Sequence, residues 1–347
     1  MTAHQEDVIV DNVVLRDGFV PVIDISSARD SDPQQRQVVA EAIGRCFESS
    51  GFLILVGHGV PDDVIADMNR SVRTFFALPE SSKDALRADP ADPLARGFSS
   101  NGKLSATNDQ ADVEAEHQAP DRVEKFVYVP LGNPEGIDGP GWTDERVLVE
   151  ERWPEVPGFR TVYQSYYSEM ASLATELSRL FALALGLRED WFDEKIDRHH
   201  SNLMSNYYPA DDQTPGQIRL SQHSDWGNLT ILLQDESQRG LQVLNDRGEW
   251  VDVPVVPGSF VINIGDLLAR WTNDRWVSTV HRVVSTDSDK PSGDRFSIPF
   301  FHQPNFDAVI ECIPTCTTPD YPARYAPVVS GPYMLEKFRL AYALSPS

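Results

Sequence analysis

Cysteine is scarce in this chain: Cys46, Cys312 and Cys316 are the only three in 347 residues. An odd, scattered set forms no disulfide framework and points to a reducing cytoplasm as the compartment. Cys312 and Cys316 lack the nearby His or Cys partners that would complete a zinc site. Positive charge is also short, with 30 Lys and Arg against 53 Asp and Glu, a net charge of −23. Such a surface repels nucleic acid and anionic membranes, so neither is expected as a partner. No stretch reaches the roughly 18 uninterrupted apolar residues of a membrane span. The first residues, Met1 to Asp7, lack the basic start and apolar run of a signal peptide. No internal repeat is present. With 41% hydrophobic residues the composition is that of an ordinary soluble enzyme. The length suits one compact domain with a helical addition as well as it suits two domains.

Periodicity organises the first half of the chain. Residues 33–49 carry Val38, Val39, Ala42, Ile43, Cys46 and Phe47 at helical spacing, ahead of a strand-like run from Phe52 to Val56. A second helix is expected from Pro61 to about Phe76, with Val64, Ile65, Met68, Val72 and Phe75 on one stripe. A long helix is expected from about Val162 to Leu185, where Tyr163, Tyr166, Met170, Leu173, Leu177 and Leu180 follow a 3.6 period and Gly186 can end it in the left-handed conformation. That stripe should be core, bracing a sheet. Residues 99–122 are polar and acidic, as a mobile loop would be.

From Asn202 to Asn305 the pattern changes to short strands separated by Gly, Asn, Asp and Pro turns. It predicts a mainly β fold with flanking helices, a double-stranded β-helix or cupin-like jelly roll. The expected organisation is an N-terminal helical and strand region over residues 1–160, a jelly-roll core with its bracing helix over 161–310, and a C-terminal segment over 311–347 ending in a helix.

Within the β region, His223-Ser-Asp225 is answered by His281, fifty-six residues after the Asp. Two histidines and a carboxylate hold a divalent iron on one face and leave the other open. Read as a strand, the tripeptide directs His223 and Asp225 to one face. Residues 277–284, a β-branched run, read as the distant strand that brings His281. Alone, a His-x-Asp tripeptide is more often a packed or hydrogen-bonded pair than a ligand set. A second signature, Arg295-Phe-Ser297, lies fourteen residues beyond His281. Its guanidinium offers a planar fork matched to a carboxylate, and the hydroxyl adds a donor. An Arg facing the interior of an apolar strand needs an anion, which an internal Asp or Glu would also provide.

Taken together, His223-x-Asp225, His281 and Arg295-x-Ser297 resemble the iron(II)- and 2-oxoglutarate-dependent oxygenases, in the branch of isopenicillin N synthase and the plant flavonoid dioxygenases. The segments His223–Asp235, Gly240–Val243, Trp271–Asp274, Ser278–Val284 and Arg295–Phe301 follow that branch in order. Upstream, Pro21–Ile25, Gly51–Leu53, Gly57–Pro61 and Phe75–Pro79 resemble its N-terminal region, so the likeness spans about residues 19–307. Asn206-Tyr-Tyr-Pro209 resembles the segment whose Asn and second Tyr line the co-substrate pocket. The carry-over is to Asn206 and Tyr208, with Tyr207 left to the barrel core.

The resemblance implies a non-haem dioxygenase with iron(II) on His223, Asp225 and His281. It also implies 2-oxoglutarate gripped by Arg295 and Ser297 with Tyr208 and Asn206, and O2 as the oxidant. A C–H bond of a small organic substrate is oxidised, with succinate and carbon dioxide as co-products. Hydroxylation is the expected outcome, with desaturation or cyclisation as family variants and specialised or catabolic metabolism as the setting. An isopenicillin N synthase-type oxidase, which works without 2-oxoglutarate, is one alternative, and Asn206–Pro209 speaks against it. A non-catalytic ligand-binding jelly roll is the other. Phe301 and the 99–122 loop are the candidates for substrate contacts, and Trp226 is expected to point away from the metal by strand alternation. His58 has a structural part in its turn, and His302 is as compatible with the surface as with the pocket. The oligomeric state is silent.

Overall fold

The computed structural model describes residues 7–10, 13–16, 19–29, 32–90, 92, 94–100, 121–130, 151–210, 217–285 and 293–343. Strands β1 (Asp7–Val10), β2 (Val13–Arg16) and β3 (Val22–Asp24) precede helix α1 (Pro33–Ser49). β4 (Phe52–Val56), α2 (Asp62–Phe76), the short α3 (Glu80–Asp84), β5 (Gly97–Ser100) and β6 (Glu124–Tyr128) follow. The long α4 (Phe159–Ala184) and short α5 (Asp193–Ile196) lead into β7 (Asn202–Tyr208), β8 (Ile218–His223), β9 (Leu229–Gln234), β10 (Leu241–Leu244), β11 (Trp250–Asp252) and β12 (Phe260–Ile264). After α6 (Asp266–Trp271) come β13 (His281–Val284), β14 (Arg295–His302), β15 (Val309–Ile310), β16 (Val328–Val329) and α7 (Ser330–Ala343).

The helices begin and end on local chemistry. Asp32 caps α1 by accepting the backbone N–H of Gln34 at 2.9 Å, and Pro33 fills the first helical position, where a missing N–H costs nothing. Gly186, at φ +70°, ends α4 in the left-handed conformation, as its position predicts. The observed helices match the expected ones to within a few residues.

Two sheets face each other. The larger has the order β1-β2-β3-β4-β12-β9-β14-β7-β6-β5, and the smaller β11-β10-β13-β8. This is the double-stranded β-helix. Strand alternation sorts side chains into two cores. On the outer face of the large sheet, Ile231, Ile262, Phe300 and Phe126 pack with Phe47 of α1, Phe75 of α2 and Tyr163 of α4. Between the sheets lies a smaller apolar set, including Phe52, Val123, Tyr208, Leu241, Val261 and Val283. α4 therefore braces the sheet, and the space between the sheets is left for the site. Of the expected 99–122 loop, residues 101–120 lie outside the described residues, while Ser99 and Ser100 belong to β5.

Candidate active site

Strands of both sheets deliver residues into one cavity of about 380 Å³. β14 contributes Arg295, Ser297, Pro299 and Phe301; β7 contributes Asn202, Met204, Asn206 and Tyr208. The antiparallel register sets Arg295 opposite Tyr208 and Ser297 opposite Asn206. β9 adds Thr230 and Leu232. The small sheet supplies His223 at the end of β8 and His281 at the start of β13, directly paired across the ladder.

The metal triad converges. One candidate ligand atom from each of His223, Asp225 and His281 lies within 4.8 Å of the others, and no other such group of three exists among the described residues. The imidazole centroids are 4.3 Å apart, and His281 Nε2 is 3.8 Å from Asp225 Oδ1. His223 Nδ1 lies 2.8 Å from Ser221 O, and His281 Nδ1 lies 3.1 Å from Thr279 O. A carbonyl only accepts, so each Nδ1 donates there and each Nε2 is left to bind a cation. Burial, with His281 nearby, pushes His223 down to about 4, so it is neutral and able to ligate at neutral pH. Burial alone would raise the Asp225 carboxyl; the two imidazoles and two hydrogen bonds outweigh it and hold the group below its ordinary value. Those bonds come from Thr230 Oγ1 at 2.5 Å and Asn263 Nδ2 at 2.7 Å, both to Oδ2. Thr230 and Asn263 sit opposite each other on β9 and β12. Oδ1 is left for a cation. The donor set, tautomers and free lone pairs fit a divalent iron.

Two placements differ from expectation. Asp225 is not on a strand, because β8 ends at His223; nor do residues 277–280 belong to β13, which starts at His281. What fixes Asp225 is the start of α6: Asp266 N donates to Asp225 O at 2.8 Å and Gly265 N to Asn228 O at 3.1 Å. Strand alternation therefore does not govern Trp226. It lines the cavity and meets Phe338 of α7 edge-on at 5.4 Å.

The second signature places a buried guanidinium beside the cavity. Arg295 is 1% exposed, and its Nε and Nη1 have no hydrogen-bond partner. Its guanidinium lies 5.0 Å from the Tyr208 ring centroid, and Asn206 Nδ2 donates to Ser297 Oγ at 3.3 Å. Burial raises the Tyr208 phenol, and the Arg295 charge pulls it partly back, so Tyr208 remains a neutral donor. A buried cation with unmatched donors is expensive unless a ligand carboxylate meets it.

Phe301 lines the cavity. Tyr207 faces the other way, stacked on Phe296 at 5.0 Å and on Phe76 at 5.4 Å, in the core. His58 is structural: its Nδ1 accepts from Val60 N, and its Nε2 bonds Gly258 O. His302 is neither at the surface nor in the cavity; it is fully buried, 3.0 Å from Ser201 Oγ and with its ring 5.0 Å from that of His199. Sequence reasoning missed Thr230, Asn263, Met334 and Phe338 of α7, and Lys125 of β6, which also border the cavity. Lys125 had a usable signal, since Val123, Lys125 and Val127 alternate along one strand face.

Comparison with known proteins agrees with this geometry. Residues 199–304 match the 2OG-Fe(II) oxygenase superfamily, and residues 20–155 match the family described as non-haem dioxygenase in morphine synthesis N-terminal. A homoarginine-6-hydroxylase of Arabidopsis thaliana is 30% identical over 94% of this chain and 98% of its own. The validamycin A dioxygenase of Streptomyces hygroscopicus subsp. limoneus is 30% identical over 84% of this chain and 77% of its own. A full-length Neurospora crassa protein, solved with alpha-KG (2-oxoglutarate) and thymine, superposes with a TM-score of 0.80 at 28% identity, covering 94% of this chain and 98% of that one. The chain belongs to the 2OG-Fe(II) oxygenase superfamily and is an iron(II)- and 2-oxoglutarate-dependent dioxygenase that oxidises a small organic substrate with O2.

Proposed function

We propose that His223 Nε2, Asp225 Oδ1 and His281 Nε2 hold the iron, and that Arg295 and Ser297, with Tyr208 and Asn206, hold the distal carboxylate of 2-oxoglutarate. The carrying observation is that three convergent ligand atoms border the same cavity as a buried guanidinium with unmatched donors. When bound, the iron and its co-substrate supply oxidising power from O2, releasing succinate and carbon dioxide; the protein's share is orientation and exclusion of water. Thr230 and Asn263 fix the Asp225 carboxylate, and the two backbone carbonyls fix the imidazoles. Phe301, Trp226 and Phe338 wall the space beside the triad and would lay a substrate C–H bond against it. The outcome proposed is hydroxylation. Homoarginine, validamycin A and thymine share no scaffold, so the substrate is not carried over from the names of relatives.

The organisation proposed is a jelly-roll core over 161–310, an N-terminal region over 1–160 that lends β1 to β6 to the large sheet, and a C-terminal segment over 311–347 that lends α7 to the cavity wall. No helix among the described residues is long and apolar enough to cross a membrane; with the scarcity of cysteine this supports a cytoplasmic setting. Anaerobic titration of the iron(II) protein with 2-oxoglutarate tests the site. A metal-to-ligand charge-transfer band should appear, be absent in Asp225→Ala, and require more 2-oxoglutarate in Arg295→Lys. Iron binding that survives loss of any triad member would overturn the assignment, as would turnover without 2-oxoglutarate.

A further inference from the structure

Among the described residues, Lys125 is the charged side chain lining the cavity that neither the metal nor the co-substrate explains. It sits on β6, opposite Ser99 of β5 on one side and Asn206 of β7 on the other. Asn206 is in turn opposite Ser297, so a polar row, Ser99–Lys125–Asn206–Ser297, crosses an otherwise apolar wall. Lys125 is 8% exposed, and among the described residues it makes no hydrogen bond and no ion pair within 4.0 Å. Asp121 acts on it through its charge and favours the charged form, but lies beyond ion-pair distance, with Oδ1 taken by Ser221 N at 2.9 Å and Ser221 Oγ at 2.7 Å and Oδ2 without a hydrogen-bond partner. Burial lowers the ammonium only to about 8, so it is still mostly protonated at neutral pH.

Charge accounting narrows its role. Among the described residues, the cations lining the cavity are Arg295 and Lys125, and the lining anion is Asp225. Iron(II), the Asp225 carboxylate, a dianionic 2-oxoglutarate and Arg295 cancel to zero. Lys125 is then offset in charge by Asp121, yet its ammonium still borders a largely apolar cavity without a hydrogen bond or ion pair of its own among the described residues, which is costly until an anion enters. It is also displaced from the co-substrate grip. Strands are about 4.8 Å apart, so the backbone of Lys125 lies two strand spacings from Ser297, with Asn206 between.

We propose that Lys125 is a specificity-determining residue that binds a carboxylate on the primary substrate, making this enzyme a dioxygenase of small organic acids. The inference rests on the iron and 2-oxoglutarate assignment above. An acid anchored at Lys125 would project its carbon skeleton along Val123, Val127 and Leu220, which border the cavity beside His223. A neutral analogue of the same shape would leave the ammonium buried and unpaired, so the site would reject it.

The test uses the iron(II)–2-oxoglutarate protein under anaerobic conditions with three probes of similar shape: phenylacetate, its neutral counterpart phenylacetamide, and phenyl phosphate. A charge-assisted hydrogen bond is worth about 1.5–3 kcal/mol, so phenylacetate should bind about 10–100-fold more tightly than the amide. Lys125→Met should abolish that preference and Lys125→Arg should keep most of it. Both should leave the charge-transfer band and the affinity for 2-oxoglutarate within twofold. A wild-type protein that shows no preference for the acid, including one that binds none of the probes, would overturn the proposal. So would a preference that persists in Lys125→Met, tighter binding of phenyl phosphate than of phenylacetate, or a tenfold loss of 2-oxoglutarate affinity in Lys125→Met with probe binding unchanged. Failure of the wild-type protein to form the charge-transfer band would instead overturn the underlying site assignment, and this proposal with it.

Discussion

Arg295 and Asn263 show how differently two buried polar side chains serve one site. Arg295 Nε and Nη1 have no hydrogen-bond partner, whereas Asn263 is already bonded, holding one oxygen of Asp225 and leaving the other for the proposed iron. Arg295→Lys keeps the charge but loses the planar donor array, and a lost charge-assisted bond is worth about 1.5–3 kcal/mol. The KM for 2-oxoglutarate should therefore rise by about 10–100-fold, while iron affinity measured without co-substrate stays unchanged. Asn263→Ala should show the reverse pattern. Loss of a bond that orients a ligand typically weakens metal binding by about 10–100-fold, which calorimetric titration of the apoprotein with iron(II) would read; an unchanged iron affinity would show that Thr230 alone suffices. The contrast also explains what was legible in the sequence. His223, His281, Arg295 and Ser297 stand out as polar residues interrupting apolar strands. Thr230 and Asn263 each look like one polar residue in a β-branched run, and only the pairing of β9 with β12 makes them a unit.

At the scale of elements, the site depends on where strands stop. β8 ends at His223, and the following turn is clamped against the start of α6, where Gly265 approaches the backbone closely. Its φ of −103° and ψ of 179° are open to any residue. A Cβ there, however, would press on the Gly227 carbonyl and lie 2.8 Å from that of Asp225. Gly265→Ala should therefore cost about 1–3 kcal/mol in stability and lower iron occupancy as well, because the displaced turn carries a ligand. Thermal unfolding with iron analysis on the same sample would check both, and a destabilised protein that keeps full iron would break the link. α1, α2 and α4 were legible because each buries a long stripe, so local periodicity and packing agree. The end of β8 was not, because it is set by α6, about forty residues later in the chain. The inward turn of Trp226 follows from that end, and its contact with Phe338 depends on α7, more than a hundred residues away.

For the molecule as a whole, the two cores have different tasks. The outer one is continuous and apolar, and the inner one accepts polar groups because ligands complete it. The exception lies on the outer face of the large sheet, where the partly buried His199 meets the buried His200 and His302, the rings of His199 and His302 being 5.0 Å apart and His200 Nδ1 bonded to Pro304 O. Burial pushes His199 and His200 down to about 4 and moves His302 in the same direction. With folded values below the unfolded one, the unfolded chain takes up protons first as the pH drops. Their contribution is thus complete above about 6.5 and is lost as the pH falls toward 4. Within that window each such histidine adds a slope of about 1.4 kcal/mol per pH unit. His200 Nδ1 donates to Pro304 O at 2.7 Å, a bond that a glutamine amide can imitate without ever taking a proton. His200→Gln should therefore flatten the dependence of unfolding free energy on pH by about one proton between pH 6 and pH 5, with the metal-site histidines cancelling because both proteins carry them. Urea unfolding of the two proteins across that range would measure the difference, and parallel curves would mean that the buried cluster does not set the acid limit of this fold.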